Sequence, residues 1–137
     1  ARVIGTGRAR DRKAALGLGA DAFVDLQADR LEDAGEVDVA FDVIGGEVLE
    51  RSARLVRAGG TLVTIVGPPK VRPADGRAIF FVVEPDRFRL ADLAERVRSG
   101  RLNPIVAAVR PLAEVPSAFA PDRRVPGKTI IRVAPGG

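Results

Sequence analysis

Short apolar runs alternate along the chain with stretches whose apolar residues recur every three or four positions, and glycines stand at most of the joins. Residues 2–6 (RVIGT) are β-branched and glycine-punctuated, which predicts a strand running into a turn. Residues 10–18 predict a helix with Ala14, Ala15 and Leu18 on one face and Gly19 as its stop. A very short strand follows at 22–25, then a weak helical pattern over 26–35. VDVAFDVI, at 37–44, is a stronger strand closed by Gly45 and Gly46. Over 47–58, Leu49, Ala53, Leu55 and Val56 fall at near-helical spacing before Gly59 and Gly60. TLVTIV, at 61–66, is an almost wholly apolar strand that ends at Gly67-Pro68-Pro69. A polar loop over 70–77 leads to a second apolar strand, AIFFVV, at 78–83. Leu90, Leu93, Ala94 and Val97 place an amphipathic helix over 90–97, with Gly100 after it.

Beyond Gly100 the texture changes. Prolines fall at 104, 111, 116, 121 and 126, and the clear elements are a short helical turn at 114–119 and a strand at 129–133. The chain is therefore expected to divide into residues 1–100 and 101–137. Alternating strands and helices argue for an α/β fold with an open parallel sheet covered on both faces. Runs such as TLVTIV and AIFFVV suit strands buried on both sides.

Composition narrows the chemistry. The 137 residues hold no Cys, His, Met, Trp or Tyr. That excludes disulfides, thiolate or imidazole metal ligands and any nucleophile–histidine pair within the chain, so no metal site and no catalytic residue is assigned. Any reaction must draw on a cofactor or on residues from elsewhere. Lys and Arg outnumber Asp and Glu by 22 to 18, and 19 of the 22 are arginine. The arginines are scattered among acids, and the six phenylalanines sit in apolar contexts, so nucleic-acid binding is not expected. No apolar run reaches the roughly 18–20 residues of a membrane span. A membrane partner is therefore not expected, and the cytoplasm is the default location. The chain opens on Ala1 with no initiator methionine and no signal-peptide pattern, and it reads as cut from something longer.

In open α/β sheets, ligands bind beyond the carboxyl ends of the strands. The turns to read are therefore Gly5-Thr6-Gly7-Arg8, Gly45-Gly46 and Gly67-Pro68-Pro69. Glycines also simply end strands, and that reading stands beside the functional one. The first turn carries no acid before Asp11. An acid there would accept from an adenosine ribose. It offers instead Thr6, Arg8 and Arg10, with Lys13 one turn on. Arginine forks suit a dianionic phosphate, so the turn favours NADP(H) over NAD. An exposed, arginine-rich helix start is the plainer alternative, although cations oppose the dipole at a helix N-terminus. Asp42 is read as a structural or ribose-side hydrogen-bond partner rather than as a catalytic acid.

These landmarks, in this order, resemble the C-terminal part of the medium-chain dehydrogenase/reductase superfamily, in its zinc-independent quinone oxidoreductase-like branch. VIGTGR, LGADAFVD, VDVAFDVIGGEVLERSARLVRAGGTLVTIVG, FFVVEPDRFRLADLAERVRSGRLNPIV, VRPLAEVPSAF and GKTIIRV carry the resemblance across residues 2–133. It implies NADPH-dependent hydride transfer to a quinone or an α,β-unsaturated carbonyl. It also implies that Thr6, Gly7 and Arg8, with Arg10 nearby, meet the adenosine side of the cofactor. Ile44 and Gly45 would lie along the ribose, and the backbone at Val66, Gly67, Phe80, Phe81 and Val82 would hold the nicotinamide carboxamide. Lys128 resembles a lysine that reaches the cofactor in some relatives, and reads equally as a surface lysine after the Pro126-Gly127 turn. The strand at 78–83 would pair across a two-fold axis to form a homodimer.

The departures from the family are as informative. Its chains are typically more than twice this length, and no G-x-G-x-x-G opens a helix here. The expected fold is thus a partial Rossmann-like doubly wound sheet lacking its first βα unit. The C-terminal segment would normally fold onto a GroES-like catalytic domain. In the order 3-2-1-4-5-6 the absent strand is central, so its flanking strands either close on each other or leave edges for a partner. Two functional classes follow. One is a reductase fragment that is inactive or weakly active alone. The other is a stand-alone nucleotide-binding or self-associating module without catalysis.

Overall fold

The structure, a computed structural model, describes residues 1–118, 120 and 127–133. They fall into two compact units, Ala1–Val83 and Glu84–Gly137. In the first unit, β1 (Ile4–Gly7) leads through a 3-10 turn (Ala9–Asp11) into α1 (Arg12–Gly17) and then β2 (Ala22–Asp25). A second 3-10 turn (Leu31–Ala34) precedes β3 (Val37–Asp42), α2 (Gly46–Leu55), β4 (Val56–Thr64) and β5 (Arg77–Phe80). Every pairing is parallel. β1 runs beside β2 from Ile4↔Ala22 to Gly7↔Asp25, and β3, β4 and β5 form one sheet in that order.

The α/β class and the parallel pairing are those expected from the sequence. The core lies under α2, whose Leu49 and Ala53 meet Val56 and the wholly buried Leu62 of β4. Val37, Ala40, Val71 and Ala78 pack around them. Burying a leucine of this kind stabilises by about 1.5–3 kcal/mol. Phe23, Val24 and Leu31 are also buried, with the Arg12 guanidinium 5.2 Å from the centre of the Phe23 ring.

The sheet is interrupted where the sequence predicts a missing strand. β1 and β3 are not hydrogen-bonded to each other, and each has a single neighbour. Between them lies a cleft of about 750 Å3, lined by residues of both.

Element boundaries shift for identifiable reasons. The 47–58 pattern is helical only to Leu55, because Val56 already opens β4. β4 accommodates Gly59 and Gly60 in an irregularity between its pairings Val37↔Val56 and Val39↔Thr61. A Cβ at position 60 would stand 2.8 Å from the Asp38 carbonyl oxygen, so glycine lets the two strands stay together. The pattern over 26–35 yields only the 3-10 turn. The apolar run at 78–83 is strand only to Phe80, and it is an edge rather than a buried strand. Ile79, Phe80, Phe81, Val82 and Val83 are 41–75% exposed. An unbroken apolar run cannot by itself distinguish burial from a face awaiting a partner.

In the second unit, α3 (Arg87–Arg98) starts three residues before the apolar pattern. The Asp86 carboxylate accepts from the N–H groups of Phe88 and Arg89 at 2.9 and 3.1 Å, a side-chain cap. The proline-rich region contains a strand that the sequence pattern conceals, β6 (Val106–Pro111). It pairs in parallel with β7 (Lys128–Arg132). A 3-10 turn (Leu112–Glu114) and α4 (Val115–Ala118) account for the expected helical turn. Phe119 and Pro126, which belong to two of the expected turns, lie outside the described residues.

Candidate functional site

The carboxyl ends of β3, β4 and β5 are brought together by a small polar centre. Asp42 ends β3 and is buried, as is Thr64 at the end of β4. The Asp42 carboxylate accepts the Thr64 hydroxyl at 3.0 Å, the Gly45 N–H at 3.1 Å and the Ile44 N–H at 3.3 Å. The Thr64 hydroxyl oxygen accepts in turn from the Val66 N–H at 3.2 Å. Its carbonyl accepts from the Phe81 N–H at 2.8 Å, beyond the end of β5. One carboxylate and one threonine thus set the path of all three strand-end turns. Charge-assisted bonds of this kind are the strong ones in a buried setting.

Gly45 completes the interlock. It sits at φ 80°, and a Cβ there would come within 2.7 Å of the Val66 Cγ1. Only glycine allows the 45 and 66 turns to touch in this way. The predicted residues Ile44, Gly45, Val66, Gly67, Phe80, Phe81 and Val82 are therefore gathered at one end of one sheet. Thr64 was not singled out in the sequence; the available signal was a hydroxyl embedded in the apolar run TLVTIV. Asp42 spends its carboxylate on main-chain and hydroxyl donors, the structural role read for it.

Thr6, Gly7 and Arg8 stand at the end of β1, on the other side of the cleft. Arg8 is exposed, and its N–H donates to the Asp11 carboxylate at 3.1 Å. The Asp11 N–H returns a bond to the Arg8 carbonyl at 2.8 Å, which pins the backbone of the turn. Among the described residues the Arg8 guanidinium forms no ion pair, whereas Arg10 lies 3.9 Å from Asp11 and Arg12 lies 3.5 Å from Asp29. Thr6 and Ile44 both line the cleft. Lys128 belongs to the second unit, where it opens β7 and its N–H donates to the Ile105 carbonyl at 2.7 Å.

A bidentate pair joins two elements of the first unit. Arg51 of α2 donates from Nε and Nη2 to the two oxygens of Glu32, at 2.9 and 2.8 Å. These bonds hold the Glu32 carboxyl well under the usual carboxylate range, at about 2, and push the Arg51 guanidinium up. The pair ties the 3-10 turn before β3 to the helix after it. No helix among the described residues is long and apolar enough to cross a membrane. They also contain no cluster of three acidic, histidine or cysteine side chains able to hold a metal.

The family model of the zinc-binding dehydrogenases matches residues 18–131. A mitochondrial protein of Arthroderma benhamiae named as a zinc-binding oxidoreductase is 31% identical over 106 residues, which are 72% of this chain and 32% of that one. The quinone oxidoreductase of Coxiella burnetii superposes with a TM-score of 0.78 at 21% identity over 97% of this chain and 45% of its own, a likeness of fold. A Sinorhizobium meliloti 1021 protein classed as a zinc-binding dehydrogenase, bound to NADP, has a TM-score of 0.69 at 27% identity over 85% and 40%. The chain thus spans about a third of that curated relative and less than half of these two structures. It belongs to the zinc-binding dehydrogenase family of the medium-chain dehydrogenase/reductase superfamily.

Proposed function

We propose that this chain is the nucleotide-binding part of an NADPH-dependent, zinc-independent oxidoreductase. The reductase would pass a hydride to a quinone or an α,β-unsaturated carbonyl, and residues 1–137 alone would be inactive or weakly active. One observation carries the reading: the strand-end turns at 44–45, 66–67 and 80–82 are locked together by Asp42 and Thr64, with a separate arginine turn across the cleft. That is how a dinucleotide is held in an open α/β sheet, with one half on each side of the strand ends. The nicotinamide, when bound, would supply the hydride; the residues of this chain bind and orient it.

Arg8 suits the 2′-phosphate because its backbone is pinned while its guanidinium is exposed and without an ion pair among the described residues. Thr6 and Gly7 would flank the adenosine, and Arg10 would add charge. At the other end, the N–H groups of Ile44, Gly45, Val66 and Phe81 are already engaged within the chain. The carboxamide NH2 would therefore be met by carbonyl oxygens of these turns. Lys128 would approach the cofactor from the C-terminal segment, with residues 1–100 as the nucleotide part and 101–137 returning onto the catalytic domain. The exposed edge of β5 and the apolar residues after it would form the homodimer contact.

The test is location. Amide chemical shifts of the labelled chain are followed on addition of adenosine 2′,5′-bisphosphate and of adenosine 5′-monophosphate. Shifts at Thr6, Gly7 and Arg8 that need the 2′-phosphate support the reading. Shifts elsewhere, or identical responses to the two nucleotides, refute it.

A further inference from the structure

The loop between β4 and β5 ends in a tight turn that contains Asp75 and Gly76, the one Asp-Gly pair in the chain. The Gly76 N–H donates to the Pro73 carbonyl at 3.3 Å, longer than the usual range of about 2.7–3.2 Å. Asp75 is exposed and has φ 50°, the one positive φ among the described residues other than glycine. An L residue held there is strained. Among the described residues, Asp33 and Asp75 are the two aspartates whose carboxylates have no hydrogen bond or ion pair. The others are all engaged, as Asp21 is by the Val3 N–H and Asp38 by Arg57. Asp33 is followed by Ala34 inside a 3-10 turn. Asp75 is followed by glycine, whose nitrogen no side chain shields.

We propose that Asp75 and Gly76 form a self-modification site: Asp75 converts to isoaspartate through a succinimide, and the conversion unfastens the start of β5 from β4. The strain at φ 50° and the long turn bond favour opening of the turn, and nothing among the described residues holds the carboxyl away. The Gly76 nitrogen then attacks the Asp75 Cγ. The N–Cγ bond forms, the bond from Cγ to its hydroxyl breaks, and the hydroxyl leaves as water with the proton from the nitrogen. Water next adds to the ring at either carbonyl. Breaking the N–Cγ bond restores aspartate. Breaking the bond between the Gly76 nitrogen and the Asp75 main-chain carbon leaves the chain running through Cβ and Cγ, with a free carboxylate on Cα. Water is lost and returned, so no oxidant, reductant or cofactor takes part.

The place of the turn gives this change a structural consequence. The Ala74 carbonyl accepts from the Gly59 N–H at 3.0 Å, and a Cβ at position 76 would stand 2.6 Å from the Gly60 carbonyl oxygen. The turn is thus seated on the Gly59-Gly60 irregularity of β4. Arg77, the next residue, opens β5 opposite Thr61. One extra methylene between Ala74 and Arg77 cannot keep both the Gly59 bond and the Thr61 register. Strand β5 leads directly to Phe81, whose N–H bonds the Thr64 carbonyl, so the change reaches towards the strand-end turns. Nothing in this chemistry needs a nucleotide.

Ageing the full chain at about pH 5, where part of the carboxyl population is protonated, tests the proposal. Trypsin releases residues 71–77 as one peptide, because the bond from Arg72 to Pro73 resists cleavage, and chromatography with mass spectrometry reads it. A form one water lighter should appear in this peptide, followed by an isobaric form that an isoaspartyl methyltransferase methylates. In the folded chain it should form at Asp75 at least about tenfold faster than at Asp33, and Asp75→Glu should abolish it. Exchange of the Gly59 amide should quicken by about tenfold or more in the isoaspartyl fraction relative to fresh chain. Conversion in urea but not in the folded chain overturns the proposal, because the fold then protects the pair. Equal rates at Asp33 and Asp75 overturn it as well, and so does unchanged Gly59 exchange in the isoaspartyl fraction.

Discussion

Replacing Thr64 by valine removes one hydroxyl from the centre of the site and almost nothing else. The two side chains have the same shape, and Thr64 is fully buried, so packing around it is retained. What is lost is the bond from its hydroxyl to the Asp42 carboxylate, 3.0 Å long, and the acceptor for the Val66 N–H at 3.2 Å. A hydrogen bond to a charged group is worth about 1.5–3 kcal/mol, and a neutral one about 1 kcal/mol. The carboxylate keeps its bonds from Ile44 and Gly45, so it is weakened rather than abandoned. Thr64→Val should therefore cost about 2–4 kcal/mol, read as a lower urea midpoint at unchanged slope. Exchange of the Gly45 and Val66 amides should quicken by more than that of amides in the core strands. The double variant with Asp42→Ala should show coupling of at least about 1 kcal/mol, because the two side chains are in direct contact. A Thr64→Val cost under about 0.5 kcal/mol, the range of an ordinary surface change, would refute the claim that this pair organises the turns.

Two further outcomes follow from the pairs and edges described. Glu32 is held at about 2 when folded, below its ordinary value of 4.5, so its contribution is present above about 4.5 and lost as pH falls towards about 2. Glu32→Gln should lower the urea midpoint at pH 7, and the gap to wild type should close between about pH 4.5 and 2; a gap constant down to about pH 2.5 contradicts the Arg51 bond as its cause. Ile79 lies on β5, the strand at the edge of its sheet, and is 43% exposed. Sedimentation should find a dimer that Ile79→Lys converts to monomer without loss of folded signal, and a monomeric wild type at high micromolar concentration would remove β5 as the dimer contact.

Much of the fold was legible because local patterns and tertiary packing agree. The VDVAFD of VDVAFDVI and the TLVT of TLVTIV form strands, and Leu49 and Ala53 face the core as their spacing requires. The interruption between β1 and β3 was also readable, because no G-x-G-x-x-G opens a helix within residues 1–137. Other features were hidden for physical reasons. β6 ends at Pro111 in a proline-rich region, where local propensity argues against a strand and pairing with β7 overrides it. Val56 fits the helical spacing yet begins a strand, since the irregularity at Gly59 and Gly60 lets β4 start early. AIFFVV has the composition of a buried strand, but composition cannot reveal that one side of β5 has no neighbour.

The candidate site was legible in its turns and obscure in its support. Gly45 and Gly67 mark where the chain must turn, and glycine is visible in a sequence. The Asp42–Thr64 bond joins residues 22 apart, on neighbouring strands in register, and no local pattern reports it. Arg8 stood out because an acid was missing beside it, and the structure adds that its backbone is pinned by Asp11.

The account turns on what the Arg8 turn recognises. Calorimetric titration of the chain and of Arg8→Ala with NADPH and NADH tests this most directly. NADPH should bind wild type at least about tenfold more tightly than NADH, about 1.4 kcal/mol, and Arg8→Ala should erase that preference while leaving NADH affinity unchanged. Equal affinities for the two cofactors in wild type, or equal losses for both in Arg8→Ala, would contradict it.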